Sequence, residues 1–263
     1  MRIANRIAAV TKCFHQPLKK SLRTAQELGF AGVQLDAIQE IKPAEFTDSA
    51  KRQFLLHLRE LGLAVASLNV PARKSLYHLD DLDNRIDTLK QTMRFAFQLQ
   101  SKTVTSRVGQ IPEDTQSPEY QTLLSVLNDL ARHANHVGAV LAITPSGDDF
   151  QSLEKLLSGV TEGPIGLHLD PTSLIASGQQ PARFFEQFAD YVLQIQIRDA
   201  LRDMDGGVQE TPVGRGEVIW DEFLVLIHSA DYPGWLTVER QQGNDKQNDM
   251  VRAMKFVRNI LPQ

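Results

Sequence analysis

One alternation runs through the whole chain: short runs of apolar, often β-branched residues are each followed by a longer stretch whose apolar residues recur at steps of three and four. Eight such units can be counted, with strands expected at 7–10, 32–35, 64–69, 103–107, 140–143, 165–169, 192–197 and 235–238. Most of these runs are apolar throughout. That suits strands buried on both faces of an all-parallel sheet better than the in/out alternation of a half-exposed antiparallel one. Eight β–α units in 263 residues match the size of an α/β chain folded as a (β/α)8 barrel, about 250 residues. The main competitor is an open, doubly wound sheet. It ranks lower because Val10-Thr11-Lys12-Cys13-Phe14-His15 follows the first strand, with no glycine-rich phosphate turn. No linker or shift in composition divides the chain, so a single domain over residues 1–263 is expected.

Between the strands, Leu123, Leu127, Leu130, Ala134 and Val137 form the clearest helical stripe, and Met250, Met254 and Val257, followed by Ile260, repeat it in the last unit. Gly29, Gly62, Gly138 and Gly234 each precede a strand, where a helix should stop. Lys plus Arg number 28 and Asp plus Glu 32, a net charge of −4 without a long run of either sign, which argues against a protein that grips a nucleic-acid backbone. The single cysteine, Cys13, makes no internal disulfide and is expected to be a buried small side chain without chemistry. Charges in Met-Arg-Ile-Ala-Asn-Arg and the lack of an apolar run of about 18 residues give the expectation of a soluble, unprocessed, cytoplasmic chain without membrane association.

In a barrel, chemistry belongs at the carboxyl ends of the strands, and here those ends are polar. The second strand ends in Gln34-Leu35-Asp36, the third in Asn69, the fourth in Arg107 and the fifth in Thr144. The sixth carries His168 and Asp170, the seventh Gln194, Gln196 and Arg198, and the eighth Glu239. Residues two apart share a face, so His168 with Asp170, Gln194 with Gln196, and Thr237 with Glu239 point together. Carboxylates buried at a barrel mouth must be paired, protonated or bound to a cation. Asp170 and Glu239 therefore suggest a divalent-metal site, hard oxygen ligands favouring magnesium or manganese. The competing reading is an ion pair with Arg107 or Arg198.

Five segments, Glu27-Leu-Gly-Phe-Ala-Gly-Val-Gln34, Gly166-Leu-His-Leu-Asp170, Ile195-Gln-Ile-Arg-Asp199, Val213-Gly-Arg-Gly-Glu-Val-Ile-Trp220 and Tyr232-Pro-Gly-Trp-Leu-Thr-Val-Glu239, give the chain a resemblance to the xylose isomerase-like TIM-barrel superfamily. That group contains sugar epimerases, hydroxypyruvate isomerases, inosose and dehydroshikimate dehydratases and endonuclease IV-type enzymes. The resemblance covers nearly the whole chain. It implies metal ligands at Thr144, Asp170, Gln196 and Glu239, where Thr144 stands in place of the glutamate found in relatives and weakens or abolishes cation binding. Ser173 likewise stands where relatives place a histidine, and Arg202 falls where epimerase-like members carry a substrate-binding arginine.

Threonine cannot act as a base, so two-base epimerisation is not expected; one-base proton transfer needs only Glu239. The leading expectation is a sugar or hydroxy-keto isomerase abstracting a proton next to a carbonyl. Glu239 would serve as base, Asp170, Gln196 and Glu239 as ligands of any cation, and His168, Arg107, Arg202, Asn69 and Thr144 as contacts to a small polyhydroxylated or hydroxy-keto substrate. The alternatives are a dehydratase of the same superfamily and a catalytically degenerate barrel that binds carbohydrate or a partner, with a DNA-repair nuclease a distant third class. Residues 199–217, with Gly206, Gly207, Gly214 and Gly216, read as a lid or a plain surface loop. Trp220 and Trp235 read as packing residues. A homodimer is the default expectation for assembly.

Overall fold

The computed structural model describes residues 3–203 and 207–261. Its strands, in chain order, are β1 (Ile7–Val10), β2 (Gly32–Asp36), β3 (Ala64–Asn69), β4 (Thr103–Arg107), β5 (Val140–Thr144), β6 (Gly166–Leu169), β7 (Val192–Ile197), β8 (Asp199–Arg202), β9 (Val208–Thr211) and β10 (Trp235–Val238). All but β8 and β9 form a closed parallel barrel in which β1 pairs with β2 on one side and with β10 on the other. That closure excludes the open doubly wound sheet, which would leave β1 or another strand as an edge.

The outer layer contains α1 (Leu18–Glu27), α2 (Asp48–Glu60), α3 (Leu82–Gln98), α4 (Pro118–Val137), α5 (Phe150–Gly159), α6 (Pro171–Ala176), α7 (Pro181–Phe188), α8 (Trp220–Ser229) and α9 (Lys246–Ile260). Helix α4 shows how the sequence sets an element. Ser117 caps its start by accepting from the Tyr120 N–H, and Pro118 occupies the first turn, where its missing N–H costs nothing. Leu123, Leu127, Leu130 and Ala134 are buried, and Gly138 ends the helix at φ 84°. In α9 the residues Met250, Met254 and Val257 are buried, and Arg258 donates to the Gly29 carbonyl at 3.0 Å, tying the last unit to the first.

Two expectations need correction. Gly29 and Gly62 do take left-handed backbones, but Gly234 does not end α8. There the left-handed residue is Asp231, at φ 48°. Gly234 is required by space: a Cβ would overlap the Tyr232 side chain and lie 2.6 Å from the Leu193 carbonyl oxygen.

The segment 199–217 is neither a free lid nor a plain loop. Strands β8 and β9 form an antiparallel ribbon, and residues 204–206, including Gly206, lie outside the described residues. The return arm is pinned by Asp199, a fully buried carboxylate that accepts from the backbone N–H groups of Gly214, Gly216 and Val218 and from Trp220 Nε1 at 2.9–3.3 Å. A Cβ at Gly216 would overlap this carboxylate, which explains the Gly-Arg-Gly sequence without any nucleotide. Trp220 is buried, as a packing residue should be, and Trp235 is half-buried.

The barrel interior is unusually polar for a fold whose inner layers are ordinarily branched aliphatics. Gln34 Nε2 donates to Thr105 Oγ1 from β2 to β4, passing over β3 inside the barrel, and Ser67, His168, Gln194, Gln196 and Thr237 are all buried. Apolar packing is carried instead by the outward faces of the strands against the helices, with Val33, Leu35, Leu141, Leu167, Ile195, Ile197 and Leu236 fully buried. No helix among the described residues is long and apolar enough to cross a membrane.

Candidate active site

At the carboxyl ends of the barrel strands lies a cavity of about 430 Å³ whose wall includes Lys12, Cys13, Asp36, Asn69, Arg107, Thr144, His168, Asp170, Gln196, Arg198, Glu239 and Gln241. Register brings these residues to one level: Asp36 is opposite Asn69, Arg107 opposite Thr144, and Gln196 opposite Thr237, two residues before Glu239.

A directed hydrogen-bond chain crosses the floor from β5 to β10. Thr144 Oγ1 and His168 Nδ1 are 2.8 Å apart, His168 Nε2 and Gln196 Oε1 3.0 Å, and Gln196 Nε2 and Glu239 Oε2 2.8 Å. Gln241 Nε2 supplies the other Glu239 oxygen at 2.7 Å. The polarity is set from the Glu239 end. A carboxylate that only accepts must receive the Gln196 amide N–H, so the Gln196 carbonyl faces His168 and accepts from Nε2–H, leaving Nδ1 to accept from the Thr144 hydroxyl. Burial pushes the His168 imidazole below its ordinary range, in keeping with the neutral tautomer this chain needs.

Beside this chain lies a cluster of opposite charges. Asp170 caps α6 through the Thr172 N–H, accepts from Ser173 Oγ at 3.0 Å and receives Arg198 Nη1 at 3.1 Å. Burial acts to raise its carboxyl, yet the Arg198 and Arg107 guanidinium charges and the Ser173 hydroxyl hold it below the usual carboxylate range. Arg198 Nε goes to Glu210 at 3.1 Å, and its Nη1 is 3.7 Å from Glu239 Oε2. Glu210 in turn is ion-paired with Arg240, whose Nη1 lies at 3.3 Å, and accepts from the backbone N–H groups of Gln241 and Gln242.

All the residues expected at the site except Arg202 line this cavity. Arg202 lies on β8, paired with Glu217 at 3.3 Å, and is not in the wall. Arg107 is half exposed and bonds Ser173 Oγ at 2.6 Å, joining the main cavity to a neighbouring one over α6. Gln194 is buried one layer below, opposite His168. Cys13 touches the cavity, but burial, reinforced by Glu239, pushes its thiol up to about 12, which leaves it inert as a nucleophile.

The expected metal ligands do meet, but they meet around a guanidinium. Asp170 is spent on Arg198 and the α6 cap, and Gln196 turns its NH2, which has no lone pair to offer, toward Glu239. As they stand, these residues do not fit a divalent cation. Among the described residues no group of three or more His, Cys, Asp or Glu side chains is arranged to hold one. Arg198 is the wall residue that the sequence places among the polar strand ends but, beyond that, only as an ion-pair partner. The available signal was parity, since it continues the inward face of Gln194 and Gln196. Glu210 carries no signal, because the ribbon that delivers it reads in the sequence as a lid or a plain surface loop, and Gln241 lies beyond the last strand, outside any pattern.

Comparison with known proteins agrees with this architecture. The family model described as xylose isomerase-like TIM barrel matches residues 22–260. Inosose dehydratase 2 of Bacillus cereus is 22% identical over 117 residues, and the match spans 39% of the chain and 39% of that relative's length. A xylose isomerase domain protein from Planctomyces limnophilus superposes with a TM-score of 0.82 at 23% identity, over 97% of this chain and 95% of the other. A probable 3-DHS dehydratase from Bacillus anthracis superposes with a TM-score of 0.77 at 17% identity, over 98% of each chain.

Proposed function

Because the chain belongs to the xylose isomerase-like TIM-barrel family, we propose that it is an enzyme that removes a proton from the carbon next to a carbonyl in a small polyhydroxylated keto substrate, with Glu239 as the base. One observation carries this reading. Both oxygens of Glu239 accept hydrogen bonds from neutral amides, Gln196 and Gln241, its side chain is 17% exposed and the Arg198 guanidinium stands off at 3.7 Å, whereas Asp170 accepts directly from that guanidinium at 3.1 Å and from a helix N-terminus. An amide-held carboxylate stays oriented yet keeps lone pairs for a substrate proton.

The opposite wall presents Thr144 and not a second carboxylate, so protonation from the other face of the same carbon has no acid there, and the chemistry is that of a single base. Proton removal gives an enolate or enediol. From it, return of the proton to the neighbouring carbon is isomerisation, and loss of a β-hydroxyl as water is dehydration. The names of the partial relative and of the Bacillus anthracis structure favour dehydration. Asn69, Thr144 and Arg107 would hold the substrate hydroxyls and carbonyl, with Asn69 free to turn its NH2 inward because its oxygen already accepts from Thr105 Oγ1, while His168, both of whose ring nitrogens are engaged, would position Thr144 and Gln196.

The test is solvent exchange. Inososes, dehydroshikimate and hydroxy-keto acids are incubated with the protein in deuterated water and followed by NMR for loss of the α-proton signal and by ultraviolet absorbance for the dehydrated product, a conjugated enone from a saturated ketone or an aromatic ring from dehydroshikimate. The expected result is exchange, with or without dehydration, that falls by about 100-fold or more in Glu239→Gln, the range of a positioned base. Exchange unaffected by Glu239→Gln overturns the assignment, and tight binding of a polyol with no exchange favours the carbohydrate-binding barrel instead.

A further inference from the structure

Three carboxylates, Asp170 on the β6 end, Glu210 on the ribbon and Glu239 on the β10 end, converge on one side chain, Arg198, which is 10% exposed. Asp170 and Glu239 direct an oxygen at the same nitrogen, Nη1. Both oxygens of Asp170 and both of Glu239 already accept hydrogen bonds. The charges nearby balance: Asp170, Glu210, Glu239 and Asp249 face Arg107, Arg198, Arg240 and Arg252. A divalent ion added here would stand against guanidinium charge in a buried setting, where repulsion is little screened.

We propose that Arg198 is the built-in cation of this site, its guanidinium occupying the place between Asp170 and Glu239 that a divalent metal would take, so that the protein binds no magnesium or manganese there. A guanidinium suits the task because it is permanently charged and presents several fixed donors. Nη1 and Nε are held by Asp170 and Glu210, while among the described residues no hydrogen bond reaches Nη2. Arg198 lines both the main cavity and the neighbouring one over α6, so its charge borders the space a substrate fills. The role follows from the reading of Glu239 as base and rests on it: when a proton leaves the α-carbon, negative charge grows on the carbonyl oxygen, and a preorganised donor beside it lowers the barrier. The metal-free character does not rest on that reading.

The experiment is manganese titration of chelator-treated full-length protein, following free Mn2+ by electron paramagnetic resonance. The wild-type chain is expected to take up none at millimolar Mn2+, and Arg198→Met to take up one ion per chain, lost again in the Arg198→Met, Glu239→Gln double variant. Uptake of one ion by the wild type that disappears in Glu239→Gln overturns the proposal, as does a folded Arg198→Met that stays metal-free. Should Arg198→Met fail to fold, the wild-type and Glu239→Gln titrations decide alone. No substrate enters this measurement, so failure of the base assignment in the exchange assay is read separately.

Discussion

The two halves of the barrel mouth use polar residues for different ends. In the first half, Asp36 turns back on its own loop, accepting from the N–H groups of Ile38 and Gln39, and Glu40 accepts from Thr11 Oγ1 and the Asp36 N–H. Lys12, about half exposed, adds an ion pair to Asp36 at 3.1 Å. In the second half the partners lie on different strands: Thr144, His168, Gln196 and Glu239 come from β5, β6, β7 and β10, and Arg198 joins β6, β7, the ribbon and β10. The acids of the first half fix loop shape, with donors from the β2 loop and the adjoining β1 loop, and the cross-strand link there, Gln34 to Thr105 to Asn69, is uncharged. The second fixes Glu239 and Arg198 by partners drawn from four elements, the kind of preorganisation that a functional site on a rigid scaffold uses.

Four perturbations sharpen or break this contrast. The largest effect is expected from Arg198→Met, which leaves three carboxylates around an apolar side chain. Removing one partner of a buried charge cluster costs about 3–5 kcal/mol, read as a loss of denaturation midpoint, and a change under about 1 kcal/mol would mean that the cluster is solvated and the contrast overstated. Next comes Gly216→Ala, which forces the Asp199 carboxylate out of its ring of N–H donors. Overpacking of this kind costs about 1–3 kcal/mol by chemical denaturation.

The third test is pH. His168 has its folded-state value depressed by burial, so the unfolded chain binds the proton more readily, and stability rises with pH. Its contribution is fully present above the unfolded value of about 6.5 and is lost as pH falls through the depressed folded value. Unfolding free energy measured between about pH 7 and about pH 5 should fall with a slope of up to about 1.4 kcal/mol per pH unit that His168→Gln removes. An identical slope in both proteins would assign the acid sensitivity elsewhere. The smallest effect is expected from Lys12→Ala in the first half, under about 1 kcal/mol, since the pair is exposed on one side and Asp36 keeps its two backbone donors. A larger loss would show that the first half is also an integrated network.

This difference in range decides how much was readable from the sequence. The eight barrel strands emerged with their bounds nearly intact, because a strand buried on both faces is written locally as an apolar run. His168, Asp170, Gln196 and Glu239 emerged as mouth residues because polar groups at the ends of such runs stand out. Their bonding did not emerge. Whether Asp170 meets an arginine or a metal depends on where β7 sits against β6, and that register contains a shift between Leu167 and His168 that no local pattern announces. The ribbon is unannounced for a related reason: Asp199–Arg202 and Val208–Thr211 are short and carry no apolar run, and the arm that follows them is held by the buried Asp199 carboxylate, a contact 15 and more residues away in sequence.

Glu210 belongs to the ribbon, yet four of its partners, Arg198, Arg240 and the amides of Gln241 and Gln242, lie off it. Peeling β9 away would therefore release the Arg198 guanidinium from one of its carboxylates and expose the backbone just after Glu239 in the same event. Hydrogen exchange should find the Gln241 and Gln242 amides opening together with the ribbon as one cooperative unit, so that the breathing of a surface hairpin sets how long the barrel mouth stays in working order.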